Sequence, residues 1–281
     1  KFQDKAMQRY NWNGTTYSPV TNYGGEIGTD ANDSYNQKHT IMQKLNLNYV
    51  INKNSSVNLN TVYNYAYGIP EDIPYGINTG LTVAYMDSDF IDRLYLGFNF
   101  GAGKYYTKFG YLAGNIILGG FYRKGVPSQG IIESNLLYYT PLIKVNRFSM
   151  RHFLRMRYRE AITRDAGINI NFGDDIREID QDRIQGASTL ILKYEFALFA
   201  PWYFYGFKYA PYCFADLGLI SRNRNIIDDS RFYSAVGLGI RIRNESLAFK
   251  TIILSFGYIP NTRDYEGEFF YQYYMGIDPL V

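Results

Sequence analysis

The stretch that decides the fold is RFSMRHFLRMRYRE, residues 147–160, in which arginines alternate with large apolar side chains. All five arginines occupy odd positions: Arg147, Arg151, Arg155, Arg157 and Arg159. On a helix Arg157 falls outside the stripe formed by the others, because successive residues turn by about 100°. On a strand every arginine lies on one face, opposite Phe148, Met150, Leu154 and Met156. The pattern therefore predicts a strand with one apolar and one cationic face.

The composition points to the same class of protein. The chain has 281 residues, with 29 tyrosines, 26 glycines and a single cysteine, Cys213, so no internal disulfide is expected. A formal net charge of +3 gives no reason to expect a nucleic-acid partner. No run approaches about 18 apolar residues, so a membrane-spanning helix is not expected. Abundant tyrosine and glycine are typical of transmembrane β-barrels, which carry aromatic girdles.

The same alternation recurs along the chain and predicts about twelve strands. The predicted strands cover residues 41–51, 57–67, 78–86, 93–101, 107–122, 130–140, 147–160, 188–199, 207–219, 232–243, 248–258 and 269–277. Most of these strands are longer than the strands of soluble sandwiches. We therefore expect an all-β fold in the form of an antiparallel transmembrane β-barrel of about 12–16 strands. Backbone groups in lipid must all pair, so the sheet has to close into a barrel. The apolar face of the barrel then meets lipid, and the charged face lines a lumen. Short turns such as NKNS (residues 52–55) separate the strands. Pro211 lies within a predicted strand, where a bulge or an end of pairing is expected.

Two segments lack the alternation. Residues 1–37 are expected to form a polar, loop-rich N-terminal segment, with one or two strands at 6–18, ahead of the barrel at 38–281. Residues 161–187 form a second long segment, predicted to be a loop folded into the lumen. The opening KFQDKAMQRY has no apolar segment of the signal-peptide kind, so a mature product or a fragment is expected.

Two short motifs carry a resemblance to a known family. IREI matches a Val/Ile-Arg-Gly-aromatic loop-tip motif in Ile176 and Arg177 and departs from it at Glu178 and Ile179. FADLG supplies a complete Phe-x-Asp-x-Gly motif with Phe214, Asp216 and Gly218. In motif order and spacing, residues 55–260 resemble the BamA/TamA-type outer-membrane assembly and translocation family, also called the bacterial surface-antigen family. GIPEDIPYGINTGLTVAY and YLAGNIILGGFYRKGVPSQGII resemble its Bacteroidota-like variant.

The resemblance implies a sixteen-stranded barrel in the bacterial outer membrane. It also implies a protein that inserts or translocates outer-membrane or surface proteins by strand exchange at a weak seam between the first and last strands. No enzymatic activity, cofactor or metal is expected. The implied partners are outer-membrane lipid or lipopolysaccharide, unfolded outer-membrane protein substrates and other outer-membrane complex subunits. Because only about twelve to fourteen of the sixteen strands are recognised, N-terminal strands and any periplasmic domains are expected to be absent from the sequence or unrecognised in it. A solute channel or receptor-type barrel, or a structural subunit of a surface-export complex, are the alternatives.

The alternation also places Asp216 on the lumen face, with Phe214 and Gly218. A carboxylate in a narrow lumen requires a partner, and a guanidinium offers two donors. We therefore predict that Arg177 reaches Asp216 and holds the loop inside the barrel, with Gly218 leaving room for it. The alternative is that Asp216 pairs with the strand arginines 151–159; Arg183 is a second candidate within the loop. Because Glu178 stands in place of the motif glycine, we expect the loop tip to be held less tightly than in relatives.

Other charged residues are predicted to face the lumen on neighbouring strands: Glu133, Lys193, Glu195, Arg241 and Arg243. The arginine wall is predicted to be a counter-charge for Glu133, Glu195 and Asp216; a track for an anionic polymer or lipopolysaccharide is the alternative. His39 and His152 lack the spacing of a metal site or catalytic triad, and His152 falls on the lipid face. The aspartate pairs at 174–175 and 228–229 are predicted to be solvated loop carboxylates rather than a calcium site.

Overall fold

In a computed structural model of the chain, the alternating segments assemble into one large antiparallel sheet. The structure describes residues 10–12, 17–19, 40–55, 73–88, 93–163, 170, 172, 175–179, 184–227, 229–244, 251–260 and 266–276. Fifteen strands account for the regular structure of these residues. Within the same ranges, no helix has the length and apolar character needed to cross a membrane.

The strands are numbered in chain order. They are β1 (Tyr10–Trp12), β2 (Tyr17–Pro19), β3 (Thr40–Ser55), β4 (Ile73–Ser88), β5 (Arg93–Tyr106), β6 (Gly110–Arg123), β7 (Val126–Tyr139), β8 (Ile143–Val145), β9 (Phe148–Thr163), β10 (Ser188–Phe199), β11 (Tyr203–Phe204), β12 (Phe207–Ser221), β13 (Ser230–Asn244), β14 (Thr251–Ile259) and β15 (Glu268–Gly276).

Thirteen of these strands form a single sheet. Its path runs β3-β4-β5-β6-β7-β9-β10-β12-β13-β14-β15, and β8 and β11 pair with β9 and β12 at the ends of two hairpins. β1 pairs with β2 only. Eleven of the twelve predicted strands are confirmed; the twelfth, at 57–67, lies outside the described residues. The prediction of a turn at NKNS is wrong, because these residues continue β3 and stay in register with β4 as far as Ser55 opposite Ile73.

Local sequence explains two details of the pairing. Lys124 and Gly125 join β6 to β7 with φ values of 49° and 79°, the left-handed conformation that two-residue hairpin turns require. Pairing between β10 and β12 ends at Ala197 opposite Tyr212, so no β10 residue lies opposite Pro211. The predicted end of pairing at this proline is therefore confirmed, and β12 loses no bond to β10 there.

The two faces of the sheet have opposite chemistry. On the face that we call the apolar face, Leu238 is 66% exposed and Tyr271 is 85% exposed. On the other, the polar face, Glu195 is 2% exposed and Asp216 is fully buried. The apolar side chains of β5 follow the same rule, since its even positions are exposed and its odd positions are half-buried. A sheet folded in water has the reverse arrangement, with apolar side chains buried and charges exposed.

The segment between β9 and β10 covers part of the polar face. β9 extends to Thr163, so this segment spans 164–187 rather than 161–187. Its backbone closes on itself where Ile170 and Gly186 exchange hydrogen bonds of 2.9 and 2.8 Å. Its apolar side chains pack in one buried cluster with residues of β9, β10 and β12–β15. Those contributed by the segment are Phe172, Ile176, Ile179 and Ile184. The predicted loop therefore supplies one side of the core.

Candidate functional site on the polar face

The centre of the polar face is the carboxylate of Asp216, in the middle of β12. Its register partners are Lys193 of β10 and Ala235 of β13. The side chain has no solvent exposure, so its negative charge depends on protein groups for stabilisation. The alternation of β12 leaves Cys213 and Leu217 on the apolar face and turns Asp216 the other way.

Arg177 of the loop supplies the partner of Asp216. Its Nη1 donates to Oδ1 at 2.8 Å and to Oδ2 at 2.9 Å, and its backbone N–H lies 3.4 Å from Oδ2. The Nζ of Lys193 is 3.9 Å from the same carboxylate. The contact predicted from the sequence is thus present, and Asp216 is neutralised from the loop and from β10.

The remaining motif residues, Phe214 and Gly218, pack around this ion pair. The guanidinium carbon of Arg177 lies 3.9 Å from the ring centre of Phe214, a cation–π geometry. At Gly218 a Cβ would overlap the Cδ1 of Ile176 and would stand 2.9 Å from the Phe172 ring. Gly218 therefore leaves the space that the loop tip occupies, as predicted.

The loop tip is tightly packed despite its departure from the family motif. Glu178 has a φ of 58°, the left-handed region that glycine adopts most readily. Its carboxylate accepts a hydrogen bond of 2.9 Å from the Nε2 of Gln272 on β15. Ile176 and Ile179 on either side are buried. Glu178 therefore adopts the conformation that glycine prefers and gains a contact, and the prediction of a tip held less tightly than in relatives stays a prediction.

A second ion pair joins the loop to β9, on the other side of β10 from β12. Asp175 is buried, and its Oδ2 lies 2.6 Å from Nη1 of Arg157 and 3.9 Å from Nη2 of Arg159, both on β9. The prediction that Asp175 is a solvated loop carboxylate is wrong, since the loop folds back onto the arginine face. Two residues apart, Asp175 and Arg177 thus link the loop to β9 and to β12.

Glu195 of β10 forms the third charged centre. Its Oε1 lies 2.6 Å from Nη1 of Arg241 on β13, and its Oε2 lies 3.9 Å from Nη2 of Arg177. The guanidinium carbon of Arg241 lies 4.2 Å from the ring centre of Tyr212. The carboxylate of Glu195 is therefore shared between a strand arginine and the loop arginine, and this links β10 and β13 to the loop.

The arginine wall is only in part as predicted. Arg157 lies 3.8 Å from Glu133 and donates 2.8 Å to Asn135, and buried Arg151 stacks over Tyr139 at 5.1 Å. Asp216 and Glu195 are neutralised by Arg177, Lys193 and Arg241 instead. Arg155 lies opposite Lys193 in register, and Arg243 lies half-buried near the end of β13.

Arg147 does not belong to this wall. The strand β9 begins at Phe148, so Arg147 falls in the turn after β8, next to Asn146 with a φ of 55°, and is exposed. The alternation carried it onto the arginine face because odd spacing alone does not reveal where a strand begins.

Metal and histidine chemistry find no support in the described part of the chain. No cluster of three or more His, Cys, Asp or Glu side chains occurs there. His152 shares a hydrogen bond of 2.8 Å between its Nδ1 and the Tyr194 hydroxyl, on the apolar face as predicted. His39, Asp174, Arg183 and Asp228 lie outside the described residues.

Neither a comparison of the sequence with known protein families nor a comparison with curated protein sequences gives a match. The resemblance carried by IREI and FADLG therefore stays a prediction.

We predict a strong energetic coupling between Arg177 and Asp216. Arg177→Met and Asp216→Asn should each lower the free energy of unfolding by about 3–5 kcal/mol, because each leaves a buried charge without its main partner. The double variant should lose clearly less than the sum of the two, as measured by chemical denaturation. Lys193→Met, which removes the more distant cation, should cost less. Additive losses would contradict a direct pair.

We predict that a methyl group at Gly218 displaces the loop. Gly218→Ala should destabilise the fold by about 1–3 kcal/mol and should speed tryptic cleavage within 170–187, because the new Cβ overlaps Ile176. Gly101→Ala is the matched control, since the nearest atom to a Cβ there is the Cβ of Asn115 at 3.4 Å, an ordinary contact distance. Equal cleavage in the two variants would argue against close packing of the loop on β12.

Proposed function

We propose that the chain is an outer-membrane β-barrel that assists the insertion or translocation of other proteins at that membrane, without covalent chemistry. The observation that carries the proposal is the inverted sheet, whose apolar side chains are exposed and whose charges are buried under a loop pinned by Arg177 and Asp216. The fold class, the pinned loop and the motif resemblance all support this function.

The proposed membrane location is supported by the exposed apolar side chains of the apolar face. Exposed apolar surface costs about 25 cal/mol per Å² in water, and contiguous exposed patches above a few hundred Å² are uncommon on soluble monomers. Hydrocarbon removes this cost. Strands β4–β7 and β9 have 14 to 16 residues, which exceeds the length of about 9–11 residues that a tilted spanning strand needs. In lipid the sheet has to close, because unpaired edges are not tolerated there.

The assembly role is supported by a difference between the strands that ion pairs link to the loop and the two last strands, β14 and β15. Asp175, Arg177, Glu195 and Arg241 link the loop to β9, β10, β12 and β13 through ion pairs. Within the described residues, β14 and β15 have nine residues each, and the pairs between β13 and β14 cover Val236–Ile242. A short strand at the edge of a sheet opens more readily than an interior strand, and an open edge accepts a strand from another chain. We therefore place substrate addition at β15.

We predict that the chain accelerates barrel folding and contacts its substrate at this edge. Reconstituted into lipid vesicles, it should speed the folding of an added unfolded outer-membrane barrel relative to empty vesicles, as read from electrophoretic mobility without heating. A photo-crosslinking residue at Tyr271 of β15 should capture the substrate. The same residue at Phe98, an aromatic position on the apolar face of central β5, should not. Folding at the empty-vesicle rate, or equal capture at both positions, would contradict the proposal.

We predict separately that the apolar face meets hydrocarbon. Leu238→Arg should lower the stability of the vesicle-inserted chain by up to about 2–4 kcal/mol, as for arginine near the bilayer midplane. Ile227→Arg, an equally apolar-to-charged change in the exposed loop between β12 and β13, should be close to neutral. The measurement is the fraction of chain protected from protease after insertion. If both variants behave alike, the apolar face does not contact lipid.

A channel is the second candidate, and it is favoured by one feature. Four asparagines line the polar face across β4–β7, and two of them hydrogen-bond each other, Asn99 Nδ2 to Asn78 Oδ1 at 3.2 Å. The others are Asn115 and Asn135. Such a neutral, hydrogen-bonding wall suits water and small solutes. A wide conductance in planar bilayers that persists after deletion of residues 165–185 would favour this function over assembly.

A further inference from the structure

Three consecutive hairpins lie side by side at one end of the sheet. Because neighbouring strands are antiparallel, β5, β7 and β10 end at the same edge at which β6, β9 and β12 begin. The hairpins are residues 104–112, 138–150 and 199–209, and we call their exposed end the aromatic rim. In the second and third hairpins, β8 pairs with the start of β9 and β11 pairs with the start of β12.

The rim carries a continuous set of exposed aromatic side chains. The turn between β10 and β12 contributes four in a row, of which Tyr205 is the most exposed at 84%. They are Trp202, Tyr203, Phe204 and Tyr205. Trp202 meets Phe148 of the second hairpin edge-to-face at 6.3 Å. Tyr138 of that hairpin donates 2.8 Å to the backbone oxygen of Phe109, which is exposed on the first. The three hairpins thus form one surface.

The charges of the rim have a single sign. Lys104, Lys108, Lys144 and Arg147 are exposed, and residues 104–112, 138–150 and 199–209 contain no aspartate or glutamate. The opposite end is mixed. There Arg224 pairs with Glu160 at 3.1 Å, and Glu266 and Glu268 are exposed. The aromatic rim is therefore cationic, whereas the described connections at the opposite end of the sheet carry both signs.

We propose that the aromatic rim binds the phosphate headgroups of anionic phospholipid in the adjoining bilayer leaflet. This inference rests on the proposed membrane location and adds a side and a lipid class to it. Tyr106 and Leu112 of the rim are exposed on the apolar face, so the rim adjoins that face and its aromatic rings come to lie where hydrocarbon meets headgroups. Tryptophan and tyrosine favour that depth, since their rings are apolar and their N–H or O–H groups are polar.

The lysines and the arginine then stand at the level of the lipid phosphates. A cation near an anionic membrane surface favours binding by a factor of about five, and salt weakens the effect. An acidic protein partner would satisfy the charges equally well. It would not account for the continuity of the rim with the apolar face.

The test compares two pairs of cations, each within one tight turn. Lys144→Gln/Arg147→Gln removes two charges from the rim, and Arg123→Gln/Lys124→Gln removes two from the β6–β7 turn at the opposite end. The full chain and both variants are inserted into vesicles of phosphatidylcholine containing one third phosphatidylglycerol. Lipids retained after extraction are then counted by native mass spectrometry.

The unaltered chain and the β6–β7 variant should retain phosphatidylglycerol above its share of the vesicle. The rim variant should lose that preference by about fivefold or more. Equal retention by the two variants, or no preference in the unaltered chain, overturns the inference while leaving the membrane location intact. Failure of every form to enter the vesicles contradicts the proposed function itself.

A second measurement is independent of the charge changes. The chain has two tryptophans, Trp12 and Trp202, so Trp12→Phe leaves only the rim tryptophan. In vesicles of brominated phosphatidylcholine, the fluorescence of Trp202 should be quenched most by bromines close to the headgroup. Quenching mainly by deep bromines, or none in an inserted chain, places the rim away from the headgroups and overturns the inference.

Discussion

The ion pair between Arg177 and Asp216 determines how the polar face is arranged. A carboxylate without solvent contact is stable only if charged or hydrogen-bonding groups surround it, and here the closest of these comes from the loop. Once Arg177 is held there, Asp175 faces Arg157 and Ile176 enters the space above Gly218. The pair therefore fixes the loop in position and, through it, links strands that are not neighbours in the sheet.

The loop also replaces the second layer that a sheet normally packs against. Phe172, Ile176, Ile179 and Ile184 form a buried cluster with apolar residues of β9, β10 and β12–β15, so apolar packing and ion pairing occur on the same face. The apolar face is left uncovered. This division explains why we assign different roles to the two faces, with hydrocarbon outside and a loop-stabilised wall inside. Within the described residues, the ion pairs reach neither β3–β6 nor β14 and β15; the last two strands contact the loop through apolar packing and the hydrogen bond between Gln272 and Glu178.

Much of the fold was predictable because strand periodicity is a local property. The alternation placed Glu195, Asp216 and Arg241 on one face correctly, and the motifs brought Arg177 to Asp216. Errors arose where the outcome depends on other parts of the chain. Arg147 has the right parity but lies in a turn, and Asp175 resembles a surface carboxylate until the loop folds back. The pairing of Glu195 with Arg241 carried no signal beyond their common face.

The sequence by itself determined which side chains share a face. It also predicted an end of strand pairing at Pro211 and an ion pair between a loop arginine and a buried carboxylate. These are consequences of period-two geometry and of the cost of an isolated charge, and both act over a few residues. Only the tertiary structure decided which cation meets which anion. Several cationic side chains compete for the buried carboxylates on this face, and distances set by strand register and by the path of the loop select the pairs.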